Sequence, residues 1–79
     1  MEISKVYISK NGYKHHAEIK IHANGFGSFE YWVEDHDEET YVEGSLSVEG
    51  KEVIDFDGCF DLPKAVKKAL NDNGYATDW

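Results

Sequence analysis

Apolar and polar residues alternate along most of the first 57 residues, with short turn segments between the alternating stretches. Alternation with a period of two is typical of β-strands that are buried on one face. The pattern predicts five strands, over residues 3–9, 13–23, 28–34, 40–48 and 52–57. Because each strand follows the previous one across a short turn, we expect an antiparallel meander.

The first turn is predicted from the Asn-Gly pair at residues 11–12, the dipeptide that two-residue type I′ hairpin loops prefer. Pairing across a two-residue loop sets Val6 opposite Ala17 on an apolar face. On the polar face it sets Lys5 opposite Glu18, a pair of opposite charge. This arrangement predicts a hairpin that is buried on one side.

The second turn contains another Asn-Gly pair, and its length decides which side chains are buried, because a one-residue slip moves every side chain to the other face. A three-residue loop over residues 24–26 keeps the apolar residues together. It sets Ile19 opposite Tyr31 on the apolar face. It sets Lys20 opposite Glu30 on the other face.

The last two strands are joined by a predicted three-residue turn at residues 49–51. The fifth strand is then expected to bury Ile54 and Phe56. The same turn length places Glu43 directly opposite Asp57, so two carboxylates would face each other on neighbouring strands.

A helix is predicted over residues 62–72, with Asp61 as its N-cap and Pro63 in its first turn. One apolar stripe runs along it, formed by Leu62, Val66, Ala69 and Leu70. Gly74 is expected to end the helix in a Schellman motif with Tyr75 in contact with the last turn. The chain therefore reads as a single α+β domain over residues 1–79, a five-stranded antiparallel meander with one C-terminal α-helix packed on one face.

Charge is concentrated in one part of the chain. Residues 30–61 hold twelve acidic residues and one basic residue, Lys51, whereas the segments on either side are slightly basic and the whole chain has a net charge of −8. On the predicted strands and the loop after the third strand, the acidic residues that do not face the helix are Glu30, Glu34, Asp35, Asp37, Glu38, Glu39, Glu43, Asp55 and Asp57.

An acidic sheet face of this kind suggests a basic partner. Like charges on neighbouring strands lower stability, so a domain selected for stability alone would pair or scatter them. Carboxylates recur about every 6.7 Å along a strand, and strands lie about 4.8 Å apart, which approaches the phosphate density of duplex DNA. All eight basic residues are Lys and none is Arg, which argues against direct nucleic-acid binding. A purely solubilising acidic face is the alternative interpretation.

Two aromatic residues, Trp32 and Tyr41, are predicted to project from the acidic face. Trp and Tyr are common energetic centres of protein interfaces. Beside carboxylates they also stack with Arg. The alternative is that a second chain or the C-terminal tail covers Trp32, which would then be structural.

No catalytic or cofactor motif is complete, so we expect no enzymatic activity and no cofactor. His16, Glu18 and His22 spread over about 20 Å of one strand, too far for one metal ion. Residues 55–61 match only part of a calcium-binding loop. A weak metal-binding module stays an alternative. Cys59 lies between acidic residues, which raises a thiol pKa and disfavours a nucleophile.

The expected location is the cytoplasm. Cys59 is alone, which excludes an internal disulfide and fits a reducing compartment. No apolar run approaches the roughly 18 residues that a membrane span requires. No charged segment followed by an apolar segment stands at the N-terminus, so we expect no secretion.

The small single domain, the lone Cys59, the acidic segment at residues 30–61 and the meander-plus-helix plan resemble small acidic inhibitors of phages and mobile elements. These include anti-CRISPR proteins and DNA-mimic anti-restriction proteins. The resemblance implies a non-enzymatic inhibitor that acts in the host cytoplasm on the basic nucleic-acid channel of a nuclease or defence complex. It extends to no family motif. A small self-associating structural or assembly protein, a homodimer that buries Trp32, is the alternative.

Overall fold

The protein is described by a computed structural model that covers residues 1–34, 41–59 and 61–77. Its elements are β1 (Glu2–Ile8), β2 (Lys14–Ile21), β3 (Phe26–Val33), β4 (Val42–Glu49), β5 (Glu52–Asp57) and α1 (Lys64–Asp72). The strands pair in sequence order, each antiparallel to the next, in one five-stranded sheet. The predicted α+β meander with a C-terminal helix is confirmed.

The core lies between α1 and one face of the sheet, and α1 contacts β1, β2 and β3. The predicted helical stripe is buried in full, at Leu62, Val66, Ala69 and Leu70. From the sheet, Ile19, Phe29 and Leu46 pack into the same cluster. We call the sheet face that α1 does not cover the open face.

The helix begins at Lys64, and no side chain caps it, so the prediction of an Asp61 cap is wrong. Pro63 takes the N-cap position with extended backbone, and a proline disfavours helical conformation in the residue before it. Asp61 is therefore left too far upstream to reach the first turn. At the other end, the predicted Schellman motif is confirmed: the Tyr75 N–H donates to the Leu70 carbonyl at 3.0 Å, and Gly74 has φ +86°.

Both Asn-Gly turns are three-residue loops, at residues 10–12 and 23–25, rather than the predicted residues 11–12 and 24–26. In each, the final glycine donates its N–H to the residue before the loop, at 2.9 Å for Gly12 and 3.0 Å for Gly25. Both glycines have positive φ, +84° and +90°. A type I turn followed by a left-handed residue is the usual three-residue hairpin loop, and glycine suits its last position.

Two registers change, because the first loop is one residue longer than predicted and the second, of the predicted length, begins one residue earlier. Val6 lies opposite His16 rather than the predicted Ala17. The side chains of β1 therefore point to the opposite faces from those predicted, and Val6 and Ile8 project from the open face. Between β2 and β3 the shift is two residues, which keeps each side chain on its predicted face. That shift places Glu30 opposite Glu18 rather than Lys20.

The β4–β5 hairpin differs from the prediction in turn length and in register. Glu49 pairs directly with Glu52, so the turn has two residues, and an irregularity follows in the ladder. The shorter turn reverses the first residues of β5, so Val53 is buried and Ile54 is exposed, against the prediction. The irregularity restores the predicted face beyond it, where Phe56 packs on the core. The predicted pairing of Glu43 with Asp57 is also wrong, because Ser45 takes that place.

The tail after α1 returns to the sheet. Tyr75 is buried against the core, and Ala76 forms a parallel bridge with Glu52 of β5. Lys51 lies over the Tyr75 ring, 4.5 Å from its centroid. Within the described ranges, no helix has the length and apolar character needed to cross a membrane.

Candidate binding face

Three carboxylates form a row across the middle of the open face. Glu18 lies opposite Glu30, and Glu30 lies opposite Glu43, on the neighbouring strands β2, β3 and β4. Directly opposite residues on antiparallel strands have Cβ atoms about 5 Å apart, and all three side chains are exposed. We call these residues the carboxylate row. All three lie on this face as predicted, and the observed β2–β3 register brings Glu18 opposite Glu30.

Tyr41 bridges two members of the row. Its Oη lies 3.0 Å from Oε2 of Glu30 and 3.0 Å from Oε2 of Glu43. One phenolic proton is therefore shared between two carboxylates. The hydrogen bond to Glu30 is the main cause that raises the pKa of Tyr41 to about 12, with partial desolvation and the bond to Glu43 adding to it. The predicted position of Tyr41 beside the acidic residues is confirmed.

Beyond the row, at the end of β3, Glu34 lies near two basic groups. Glu34 lies 3.6 Å from Lys14 Nζ and 3.4 Å from His16 Nε2, the latter in a geometry that is not a hydrogen bond. The Trp32 ring stacks on His16 with centroids 4.9 Å apart and planes 5° apart. Trp32 is thus on the open face as predicted, half-buried by His16, while the described tail runs along β5.

The two predicted site residues of β5 differ in their surroundings. Asp57 lines a shallow depression of about 460 Å³ together with Glu30 and Glu43. Asp55 is opposite Ser47 and does not line that depression. Both aspartates accept a hydrogen bond at 2.9 Å from the N–H of the following residue. The remaining predicted site residues, Asp35, Asp37, Glu38 and Glu39, lie outside the described residues.

The residues considered for metal binding or nucleophilic chemistry do not form a reactive site. In residues 1–34, 41–59 and 61–77, no group of three His, Cys, Asp or Glu residues is placed to hold a metal ion. The pKa of the Cys59 thiol is raised, first by burial and then by Asp61 and Asp57, the direction predicted from the acidic neighbours. A raised pKa keeps the thiol protonated and unreactive at neutral pH.

The covered face has a more apolar cavity, of about 390 Å³, between the start of α1 and the ends of β1, β2 and β3. Its polar groups bond within the protein: His15 Nδ1 lies 2.8 Å from Tyr31 Oη, and Tyr7 Oη donates to Asp72 at 2.9 Å. Burial, reinforced by Asp72, raises the pKa of Tyr7 to about 12. These groups were not predicted as a cluster, because the β1 register had to be correct to bring Tyr7 to this face.

Comparison of the chain with protein-family models, with curated proteins and with solved structures found no match. The resemblance to acidic phage inhibitors was drawn from size, charge and element order, and it stays a prediction. The residues of the open face are therefore the basis for a functional proposal.

Proposed function

We propose that this protein is a non-enzymatic protein-binding module whose open face binds a basic, nucleic-acid-binding surface, such as that of a host nuclease or defence complex. The observation that supports the proposal is the carboxylate row of Glu18, Glu30 and Glu43, three like charges on neighbouring strands. Among the described residues, no ion pair involves any of the three.

The positions of the two β2 lysines strengthen the inference drawn from the carboxylate row. Two lysines project from the open face of β2, and each is used at one side of the row: Lys14 near Glu34 and Lys20 near Glu2. Like charges directly opposite each other cost some tenths of a kcal/mol per pair. The two lysines therefore offset acidic charge at the two ends of β2 and leave the carboxylate row between them negative, which favours an external basic partner.

The geometry of the row suits Arg and Lys side chains that normally contact phosphates. Neighbouring carboxylates across the strands are about 4.8 Å apart, comparable to the spacing of about 3.4 Å per phosphate along one DNA strand. The Tyr41 and Trp32 rings flank the row and offer stacking surfaces for guanidinium groups. Anti-CRISPR-like inhibition in the cytoplasm is the specific form of this proposal.

The test is an affinity capture at low salt from a lysate of the source cells, followed by elution with duplex DNA and then with salt. A row variant, Glu18→Gln with Glu30→Gln and Glu43→Gln, removes the three charges. The matched control removes three charges outside the row: Glu49→Gln with Glu52→Gln, a pair at the β4–β5 end of the open face, and Asp61→Asn before α1.

The proposal predicts that nucleic-acid-binding proteins are captured, that duplex DNA displaces them, and that the row variant loses them while the control keeps them. Salt should elute the same proteins steeply, because exposed charges are screened within about 10 Å at 0.1 M salt. Equal capture by the row variant and the control would contradict the proposal. Capture that DNA does not displace would contradict it as well.

A further inference from the structure

The two edges of the sheet differ in how their backbone is used. On the outer side of β5, the Val53 N–H donates to the Ala76 carbonyl at 2.9 Å, and the Ala76 N–H donates to the Lys51 carbonyl at 2.7 Å. On the outer side of β1, no strand of the described residues is paired. An unpaired edge is a template for another strand, so β1 is the edge available for association.

The hydrogen-bonding pattern identifies the groups that face outward from β1. Ser9 donates to Tyr13 and Met1 accepts from Ile21, both across to β2. Because bonding direction alternates along an antiparallel strand, the even-numbered residues of β1 point their N–H and C=O groups outward. Their side chains lie on the open face, and two of them are apolar and exposed, Val6 by 49% and Ile8 by 68%.

We infer that β1 pairs antiparallel with β1 of a second copy of this chain, with Val6 opposite Val6 of the second copy. In this register Ser4 lies opposite Ile8, and Lys5 lies opposite Tyr7, so no like charges face each other. A register centred on Lys5 would set two lysines side by side, which is unfavourable. A register centred on Tyr7 would pair fewer residues of the strand.

This pairing joins the open faces of two copies into one surface. Within a copy, Val6 lies opposite His16, and His16 lies opposite Trp32. With Val6 on the two-fold axis, the line of Val6, His16 and Trp32 continues across the interface into the same three residues of the second copy. It forms an apolar and aromatic stripe through both copies. The two-fold rotation places the two carboxylate rows on opposite sides of the stripe, which separates their charges.

Salt distinguishes this association from binding of a basic partner. Each copy has a net charge of −8, so copies repel each other at low ionic strength and added salt strengthens their association. Binding of the open face to a basic partner weakens with salt. The two interactions therefore have opposite salt dependence, and either one can fail without the other.

The first experiment is sedimentation velocity over a concentration series at low and high salt. Wild-type protein is expected to shift from monomer to dimer as concentration rises, more readily at high salt. Val6→Lys sets two introduced lysines opposite each other and should weaken association by at least about tenfold. The control is Ile54→Lys, which changes a residue of similar exposure, 52%, on the edge that the tail occupies. It should dimerise like wild type.

The register is tested by oxidation of single-cysteine variants in a Cys59→Ser background. Val6→Cys places two thiols on residues whose Cα atoms are about 5.5 Å apart in a hydrogen-bonded pair, within the range of a disulfide. Ser4→Cys places them about 13 Å apart along the strands. The inference predicts a cross-linked dimer for Val6→Cys only. A chain that stays monomeric at all concentrations, a dimer that survives Val6→Lys, or equal cross-linking of both variants would overturn it.

Discussion

The two faces of the sheet are built from the same strands and follow opposite rules. On the covered face, the buried side chains pack in one apolar cluster, and Ile19 and Phe29 face each other across β2 and β3. At the adjacent pair of the same ladder, on the open face, Glu18 faces Glu30 instead. The covered face is what folding requires. The like charges on the open face lower stability and are not needed for folding, and such an arrangement is common at functional sites.

The largest expected difference between the faces concerns two aromatic residues of β3. Phe29→Ala should lower the free energy of unfolding by about 3–5 kcal/mol, because it empties a buried site. Trp32→Ala, on the open face, should cost less than about 1.5 kcal/mol, since Trp32 is only half-buried. Urea unfolding measures both, and Phe29→Leu gives a milder variant if Phe29→Ala does not fold. Equal losses would mean that the open face is packed like a core.

A second difference lies within β4. A Cβ atom on Gly44 would lie 2.8 Å from Cζ of Phe29 and would also meet the Asp57 carbonyl oxygen. Gly44→Ala should therefore destabilise the protein by about 1–3 kcal/mol, the usual cost of overpacking. The neighbouring Ser45→Ala, on the exposed side of the strand, should change stability by less than about 0.5 kcal/mol. If both variants unfold at the same urea concentration, the close packing of Phe29 beneath β4 is contradicted.

The third prediction concerns the open face alone and reverses the sign. In a Tyr41→Phe background, which lacks the hydrogen bond to Glu30, Glu30→Gln should raise the free energy of unfolding by roughly 0.5–1 kcal/mol, because it removes a charge that lies opposite Glu18 and Glu43. The gain should shrink in 1 M salt, where screening is strong. The matched control, Glu34→Gln, removes a charge near Lys14 and should be neutral or cost up to about 1 kcal/mol. A lower free energy of unfolding for Glu30→Gln would contradict the claim that the carboxylate row destabilises the fold.

The smallest effect concerns the ionisation of Tyr41. Its pKa is raised to about 12, so the proton that it shares with the row is held more tightly in the folded protein. A raised pKa contributes stability that is fully present below pH 10, the ordinary tyrosine value, and is lost as pH rises towards 12. Spectrophotometric titration of Tyr41→Phe should lack one phenolate transition near pH 12. Loss of a transition near pH 10 instead would show that Tyr41 does not bond to the carboxylates.

The sequence was sufficient for the element order, the buried stripe of α1 and the C-terminal cap, because these depend on local periodicity and on one glycine. The strand registers depend on where each loop begins and ends, and both x-Asn-Gly loops begin one residue earlier than predicted. In each loop the glycine occupies the third position, where φ is positive. Placing each glycine last in a three-residue loop would have predicted the observed register of β1 and the pairing of Glu18 with Glu30. In the β4–β5 hairpin the two-residue turn exposes Ile54, and the irregularity between Ser47 and Val48, which returns Phe56 to the core, has no comparable sequence signal.

The most direct test uses the immobilised row variant, Glu18→Gln with Glu30→Gln and Glu43→Gln, to capture proteins from the lysate. The quantity measured is the amount of nucleic-acid-binding protein that duplex DNA then releases from it. We expect this amount to fall to background while the variant unfolds at a higher urea concentration than wild type. A more stable variant that still yields the wild-type amount would contradict the proposed function, because the like charges of the open face would then be costly without serving the partner.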